Sequence, residues 1–479
     1  MKGVLNKNGY IMQKKDLTVD QMLKIEEDLI VQPFILNDYS FKKEPIYVPV
    51  YQETETELCL PKYYGLEKFG KPIDKLNHNN YPKIDIEFYI ELRHYQEEIM
   101  SQLLQGMQKH KGGILTMGCG RGKTNMAIYL INHFKLKTLI VTHAGFLQNQ
   151  IIDRIRKCTN IDKIGGIGYL QGKTIDVDHP IVVATVQSLS MKEYDPVLFK
   201  DFGFVVIDET HHMGGKTFHQ AFYKINAPYM LGLTATPRRN DGMFKVINWY
   251  MGPQLYYEEQ PNNSNVVCNM IYYSVSKENE NFKTYILRGT DKANRSKMIT
   301  NLTQIKSRNT LCIKIIDQLL REGRKVLILG GRIDHLKVLE IRLNEFNNSA
   351  FTTGLYIGEM KKKELIESEK ANAIFGSYQM AQEGLDIGDL DSLVLVTPIS
   401  DIQQSIGRIL RKTDYKHTPT VYDICDQLPV FISQSNKRRK YYLSKEYKVC
   451  GSDFKAGTNL EPVLHIKPTK PLLSNVFID

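Results

Sequence analysis

From Leu92 onward the chain alternates short apolar runs with amphipathic stretches of helical spacing. The runs at 138–142, 181–185, 204–208 and 230–234 form one series, and those at 326–329, 354–357, 373–377, 393–397 and 420–424 form a second. Such runs offer no polar face, so the strands they predict must be covered on both sides. Doubly covered strands separated by helices belong to parallel sheets, which limits the fold class to α/β with two such domains. The polar stretch 258–265 is the expected hinge between them.

Both flanks break this pattern. Residues 1–88 carry six prolines (33, 45, 49, 61, 72 and 82) that interrupt short β-type runs, with one amphipathic helix expected at Val19–Leu29. This predicts a small α+β module. Beyond Asp426 a basic, helix-prone segment contains Lys437, Arg438, Arg439 and Lys440, and a Pro/Lys-rich tail follows. The expected boundaries are 1–88 for the accessory module, 89–257 for the first α/β domain, 258–445 for the second and 446–479 for the tail.

A length of 479 residues fits about three domains at roughly 150 residues each. With 42% hydrophobic and 24% charged residues the composition is that of a globular chain. The net charge of +10 suits a polyanionic partner, and equally a mildly basic solvated surface. Seven cysteines (59, 119, 158, 268, 312, 425 and 450) are scattered with no C-x-x-C, which predicts reduced thiols inside a cell and no structural zinc. No apolar run reaches membrane length and the first residues do not form a signal peptide, so a soluble intracellular protein is expected.

The chemistry begins at Met117-Gly118-Cys119-Gly120-Arg121-Gly122-Lys123-Thr124. An apolar run enters this stretch and a helical pattern leaves it, so it is a strand, a glycine turn and a helix. Glycines at 118, 120 and 122 let successive backbone N–H groups turn inward around phosphate oxygens. Lys123 would neutralise the terminal phosphates, and Thr124 would hold Mg2+ at a helix N-terminus that favours anions. Met117 departs from the glycine of the strict pattern, and a glycine-rich turn with a surface lysine is the competing reading.

Open parallel sheets bind ligands at the carboxyl ends of their strands, and polar motifs recur there. Asp208 and Glu209 follow one strand, expected one sheet position from the phosphate loop. Such a pair can hold a metal ion and orient an attacking water. Thr234 and Thr236 end the next strand, where two hydroxyls can relay the state of a phosphate site. Arg408 and Arg411, three residues apart on one helix face, suit the charge of a transferring phosphoryl group. Surface salt bridges would use them equally well, but Gly407 between them suggests a close approach.

The order of Leu92-Arg93-His94-Tyr95-Gln96, the phosphate loop, Asp208-Glu209-Thr210-His211, Thr234-Ala235-Thr236, Gln382 to Ile387 and Gln404-x-x-Gly407-Arg408-x-x-Arg411 resembles superfamily 2 helicases of the DExH type. The resemblance covers about residues 90–445. The Leu92–Gln96 motif and Ala235-Thr-Pro-Arg-Arg-Asn-Asp241 are similar to the XPB/RecG/UvsW branch. Lys15-Asp-Leu-Thr18 and Leu60-Pro-Lys-Tyr-Tyr-Gly-Leu66 resemble helicases of large cytoplasmic DNA viruses related to the poxviral transcript-release helicase.

This resemblance implies two tandem RecA-like domains with an N-terminal module and a basic C-terminal extension, hydrolysing ATP with Mg2+. It implies that Gln96, helped by Arg93, reads adenine. Gly118, Gly120, Gly122, Lys123 and Thr124 would bind phosphate, with Thr124 and Asp208 at the metal and Glu209 at the water. His211, Thr234, Thr236 and Gln404 would couple hydrolysis to movement. Arg408 and Arg411 would be fingers, and Gly384 and Asp386 would lie near the ribose. Thr142, Thr185, Gln187, Arg332 and Ser377 fall where the family grips a nucleic-acid backbone.

The implied function is an ATP-driven helicase or translocase, 3′ to 5′, on DNA, RNA or a DNA–RNA hybrid. It would act with transcription machinery in transcript release, as a cytoplasmic monomer of the viral factory or virion, away from membranes. The alternatives are a DNA-remodelling helicase for replication, recombination or repair, and a nucleic-acid-binding ATPase switch or scaffold that does not unwind.

Overall fold

A computed structural model describes residues 3–456 apart from 33–46, 119, 144, 215–217, 236–241, 260–264, 277, 359, 384, 386 and 411–414. The chain divides into two units, Met1–Gln260 and Pro261–Asp479.

In the first unit the N-terminal strands are β1 (Val4–Asn6), β2 (Gly9–Gln13), β3 (Ile30–Val31), β4 (Val48–Pro49), β5 (Gln52–Glu53), β6 (Glu57–Leu60) and β7 (Ile73–Asp74). They form a sheet of order β5-β6-β2-β1-β7 and a β3-β4 pair. The helix Val19–Leu29 has the expected bounds, opened by a capping box between Thr18 and Gln21.

The main sheet of this unit contains β8 (Gly112–Thr116), β9 (Thr138–Thr142), β10 (Ile167–Gln171), β11 (Thr174–Ile175), β12 (Ile181–Thr185), β13 (Phe204–Ile207), β14 (Tyr229–Thr234) and β15 (Gln254–Tyr257). Its order is β11-β10-β12-β9-β13-β14-β8-β15, parallel except for the β10-β11 pair. Alternate residues of one strand serve opposite cores. Leu139, Val141, Val205 and Ile207 pack on one face, while Ile140, Phe204 and Val206 pack on the other. That is why these runs are apolar throughout. The order also corrects one expectation: β14 lies between β13 and β8, so the strand leading to Asp208 is not the neighbour of the phosphate-loop strand.

The N-terminal residues do not stand apart as a separate module. Tyr10, Met12, Ile25 and Tyr64 share a core with Leu139, Val205 and Met230. Buried Lys62 donates from Nζ to the Pro228 carbonyl at 3.1 Å, and Lys7 donates to the Phe202 carbonyl at 2.8 Å. Both carbonyls precede strands, at the end of the sheet opposite the motif-bearing loops. Burial pulls both lysines down to about 7.

The second unit has one sheet containing β16 (Val267–Val275), β17 (Val326–Gly330), β18 (Thr353–Tyr356), β19 (Ala373–Ser377), β20 (Ser392–Leu395), β21 (Thr420–Asp426) and β22 (Lys448–Ala456). Its order is β18-β19-β17-β20-β21-β16-β22, all parallel. Val326, Ile328 and Phe375 face one core, and Leu327, Leu329 and Ile374 the other. The region assigned to the tail starts with β22, which pairs with β16 from Val267↔Lys448 to Val275↔Ala456. This strand closes the sheet edge and carries Lys448, Asp453 and Lys455 among smaller residues, a pattern edge strands favour.

Candidate nucleotide site

Met117 is fully buried and its N–H donates to the Thr234 carbonyl at 3.1 Å, so the chain enters the glycine turn anchored to β14. Gly120 and Gly122 take φ of 74° and 87°, values that favour glycine. A Cβ on Gly122 would also lie 2.2 Å from Gln96 Nε2. The helix Lys123–Phe134 follows, with Thr124 in its first turn. The Lys123 ammonium lies over its own loop, donating to the carbonyls of Met117 at 3.0 Å and Gly118 at 3.2 Å.

Gln96 is 3% exposed and sits against this loop. Its Nε2 donates to the Arg121 carbonyl at 2.9 Å, and its Oε1 accepts from the Arg93 N–H at 3.0 Å. The Tyr95 hydroxyl donates to the same carbonyl at 3.1 Å. The structure thus brings Gln96 and Tyr95 to the glycine loop, while Arg93 meets Gln96 and Tyr95 at the start of their helix.

Glu258 is a member of the site that sequence reasoning missed. Its carboxylate accepts from the Gly118 N–H at 3.0 Å and from Arg121 Nε at 2.9 Å, and lies 2.7 Å from Arg121 Nη2. The Arg121 guanidinium lies 4.0 Å from the centre of the Tyr95 ring. In the sequence Glu258 opens a polar stretch, and no motif singles it out.

The Asp208 N–H donates to the Val141 carbonyl at 2.9 Å, extending the ladder past β13. Burial and the adjacent Glu209 charge push the Asp208 carboxyl up to about 6, and the Lys123 charge opposes the rise. Glu209 adopts φ of 46°, a left-handed conformation uncommon for a side-chain-bearing residue and frequent at functional sites. Its Oε2 lies 3.3 Å from His211 Nδ1, which lies 3.1 Å from Thr234 Oγ1. The Thr210 hydroxyl donates to the carbonyls of Ile207 at 2.9 Å and Leu233 at 3.1 Å. Glu209, His211 and Thr234 form one contiguous path between two strand ends. His143, just past β9, is a second residue the sequence reading missed. Burial lowers its pKa, and so does the charge of His211.

Thr142 and Thr185 pair in register at the same end of the sheet, both buried. The Thr185 hydroxyl accepts from the Ser188 N–H at 3.3 Å and starts the helix Val186–Met191, which carries Gln187.

In the second unit Arg332 donates to the Ser296 carbonyl at 2.9 Å, Ser296 Oγ at 2.8 Å and Thr300 Oγ1 at 3.1 Å. Ser377 Oγ accepts from the Met380 N–H at 3.3 Å. Gln404 and Arg408 lie in the helix Gln403–Ile409, where Arg408 Nη1 donates to the Leu385 carbonyl at 2.8 Å. Cys119, Thr236, Gly384, Asp386 and Arg411 lie outside the described residues. Among the described residues no helix is long and apolar enough to cross a membrane.

Residues 89–239 match the family described as type III restriction enzyme, res subunit. An Acanthamoeba polyphaga mimivirus protein named "Putative ATP-dependent RNA helicase" is 43% identical over 459 residues, which covers 94% of this chain and 86% of the relative. An African swine fever virus protein of the same printed description is 24% identical over 455 residues, covering 89% and 86%. A solved fragment of a "putative HsdR subunit of a type I restriction enzyme" from Vibrio vulnificus has a TM-score of 0.51 at 16% identity, covering 77% of this chain and 70% of that one. It shares the fold.

Proposed function

This chain belongs to the superfamily 2 ATP-dependent helicases of large DNA viruses, and we propose that it spends ATP hydrolysis on moving along nucleic acid to release transcripts. It is an ATP hydrolase. The observation that carries the reading is the Glu209–His211–Thr234 path at the strand ends beside the phosphate loop. It joins the carboxylate suited to orienting water to a hydroxyl on the strand that anchors Met117.

In this reading Lys123 leaves the carbonyls of Met117 and Gly118 for the terminal phosphates, which offer a charged acceptor. Glu209 orients the water, and His211 passes the occupancy of the site to Thr234. Thr124 and Asp208 supply hard oxygen donors, which fit Mg2+ held by few protein ligands and by substrate phosphates. The ion would neutralise charge on the phosphates when bound. Arg93 and Gln96 serve the adenine side, Gly384 and Asp386 the ribose, and Arg408 and Arg411 are the fingers. Thr236 and Gln404 join the coupling path. Gln187, Arg332 and Ser377 meet the nucleic-acid backbone, Thr142 and Thr185 being buried at their strand ends, and the excess of Lys and Arg draws that polyanion.

The test compares full-length protein on stalled transcription complexes and on branched DNA. ATP-dependent release of RNA with no branch processing supports transcript release. Branch processing alone would assign the protein to DNA remodelling, and hydrolysis with neither outcome to an ATPase switch.

A further inference from the structure

Arg308 and Arg438, each no more than 2% exposed, lie in the second unit and reach the same irregular segment. Fully buried Arg308, from the helix Lys306–Arg321, pairs with Asp426 through Nε to Oδ1 at 2.7 Å and Nη2 to Oδ2 at 2.9 Å. Its remaining Nη1 donates to the Val396 carbonyl at 2.8 Å. Arg438, from the helix Pro429–Ser444 and 2% exposed, pairs with Asp423 through Nε to Oδ2 at 2.7 Å and Nη2 to Oδ1 at 2.8 Å. Its Nη1 donates to the Ile399 carbonyl.

Asp423 and Asp426 are three residues apart on β21, an odd spacing that sends their side chains to opposite faces. Residues 396–399 continue β20 past its end, so they are gripped from both faces of the sheet. Between the two gripped carbonyls, Thr397 Oγ1 accepts from the Gly331 N–H at 2.8 Å, and the Thr397 carbonyl accepts from the Tyr378 hydroxyl. The segment then passes through buried Ile402 into the helix that carries Gln404 and Arg408.

Stability does not call for this arrangement. A buried guanidinium–carboxylate pair loses hydration that its internal attraction barely returns, and well-packed apolar side chains often replace it at no loss. Fixed geometry is what such pairs supply: a planar fork admits one orientation, and its spare N–H then places a chosen carbonyl. We propose that Arg308–Asp426 and Arg438–Asp423 are positioning pairs that hold residues 396–399 and thereby place Arg408 for phosphoryl transfer. The inference rests on the reading of Arg408 as a finger.

The test uses full-length protein, measuring thermal midpoint, kcat and KM for ATP with Mg2+. Arg308→Met alone strands the Asp426 charge and should lower the midpoint. The double replacement Arg308→Met with Asp426→Leu should restore the midpoint to the starting value or above, yet leave kcat about tenfold to a hundredfold low with KM within about twofold. Arg308→Lys keeps the charge but loses the fork, and should show the same kcat deficit in a folded chain. A double variant that recovers both midpoint and kcat overturns the proposal. If that variant does not fold, normal kcat in Arg308→Lys overturns it instead. Arg408→Ala is measured alongside. Full activity there removes the finger reading and the proposal with it, whereas loss there with normal turnover in the paired variants removes only the positioning role.

Discussion

His211 Nδ1 lies 3.1 Å from Thr234 Oγ1, bridging the loop after β13 to the end of β14. Because the same nitrogen is 3.3 Å from Glu209, the imidazole touches the carboxylate proposed to orient water and the end of β14 together. His211→Ala should therefore separate hydrolysis from movement. We expect nucleic-acid-stimulated ATPase to persist at a third or more of the starting rate while strand displacement falls at least about tenfold. Equal losses in both assays would make His211 part of the hydrolytic step rather than of coupling.

Lys123→Ala and Glu209→Gln should both abolish turnover, for different reasons. Removing the ammonium takes away charge that the phosphates need, so nucleotide affinity should fall. The amide at 209 keeps the shape but cannot polarise water, so ATP should stay bound and intact. Equilibrium binding of a fluorescent ATP analogue distinguishes the two variants. Normal hydrolysis by Glu209→Gln would remove that residue from the chemistry.

Asp208 gives a pH-dependent prediction with a defined sign. Its carboxyl, near 3.8 when unfolded, rises to about 6 in the fold, so the folded state binds its proton more readily. The charged form therefore costs stability above pH about 6, and that cost fades as pH falls toward 4. Asp208→Asn should raise the thermal midpoint of the nucleotide-free, metal-free protein near neutral pH by at least about 2 °C, and should abolish hydrolysis when ATP and Mg2+ are supplied. The gain should close by pH about 4. An unchanged midpoint at neutral pH would contradict the buried, charge-crowded carboxylate.

Gly122→Ala tests the tight packing of the phosphate loop. The added methyl would meet Gln96 Nε2 at 2.2 Å on a backbone with φ of 87°. We expect ATP affinity to fall at least about tenfold, because the clash and the strained backbone act together. Unchanged affinity would contradict the tight packing of the loop.

The doubly apolar strands were legible because both faces of each are buried, so Ile181 to Thr185 could hardly be anything else. β16 and β22 were not, since Asn269 and Ser274 interrupt the apolar residues of β16, and β22 carries Lys448, Asp453 and Lys455. The strand, glycine turn and helix around Lys123 were legible because Gly120 and Gly122 take backbone conformations that favour glycine, and Asp208 and Glu209 stand out as adjacent carboxylates after an apolar strand. Glu258 and His143 were not. They meet the site through folding alone, from a polar linker and from the end of a neighbouring strand. The Arg308–Asp426 pair was not legible for the same reason, because its members are 118 residues apart.

The central claim, that hydrolysis at this site drives movement along nucleic acid, is tested most directly by streptavidin displacement from singly biotinylated DNA and RNA strands. With Mg2+ and ATP, the full-length protein should displace streptavidin from one end of its preferred strand, and Glu209→Gln should bind that strand and displace none. Stimulated hydrolysis without displacement from either end of DNA or RNA, or displacement that persists in Glu209→Gln, would contradict it.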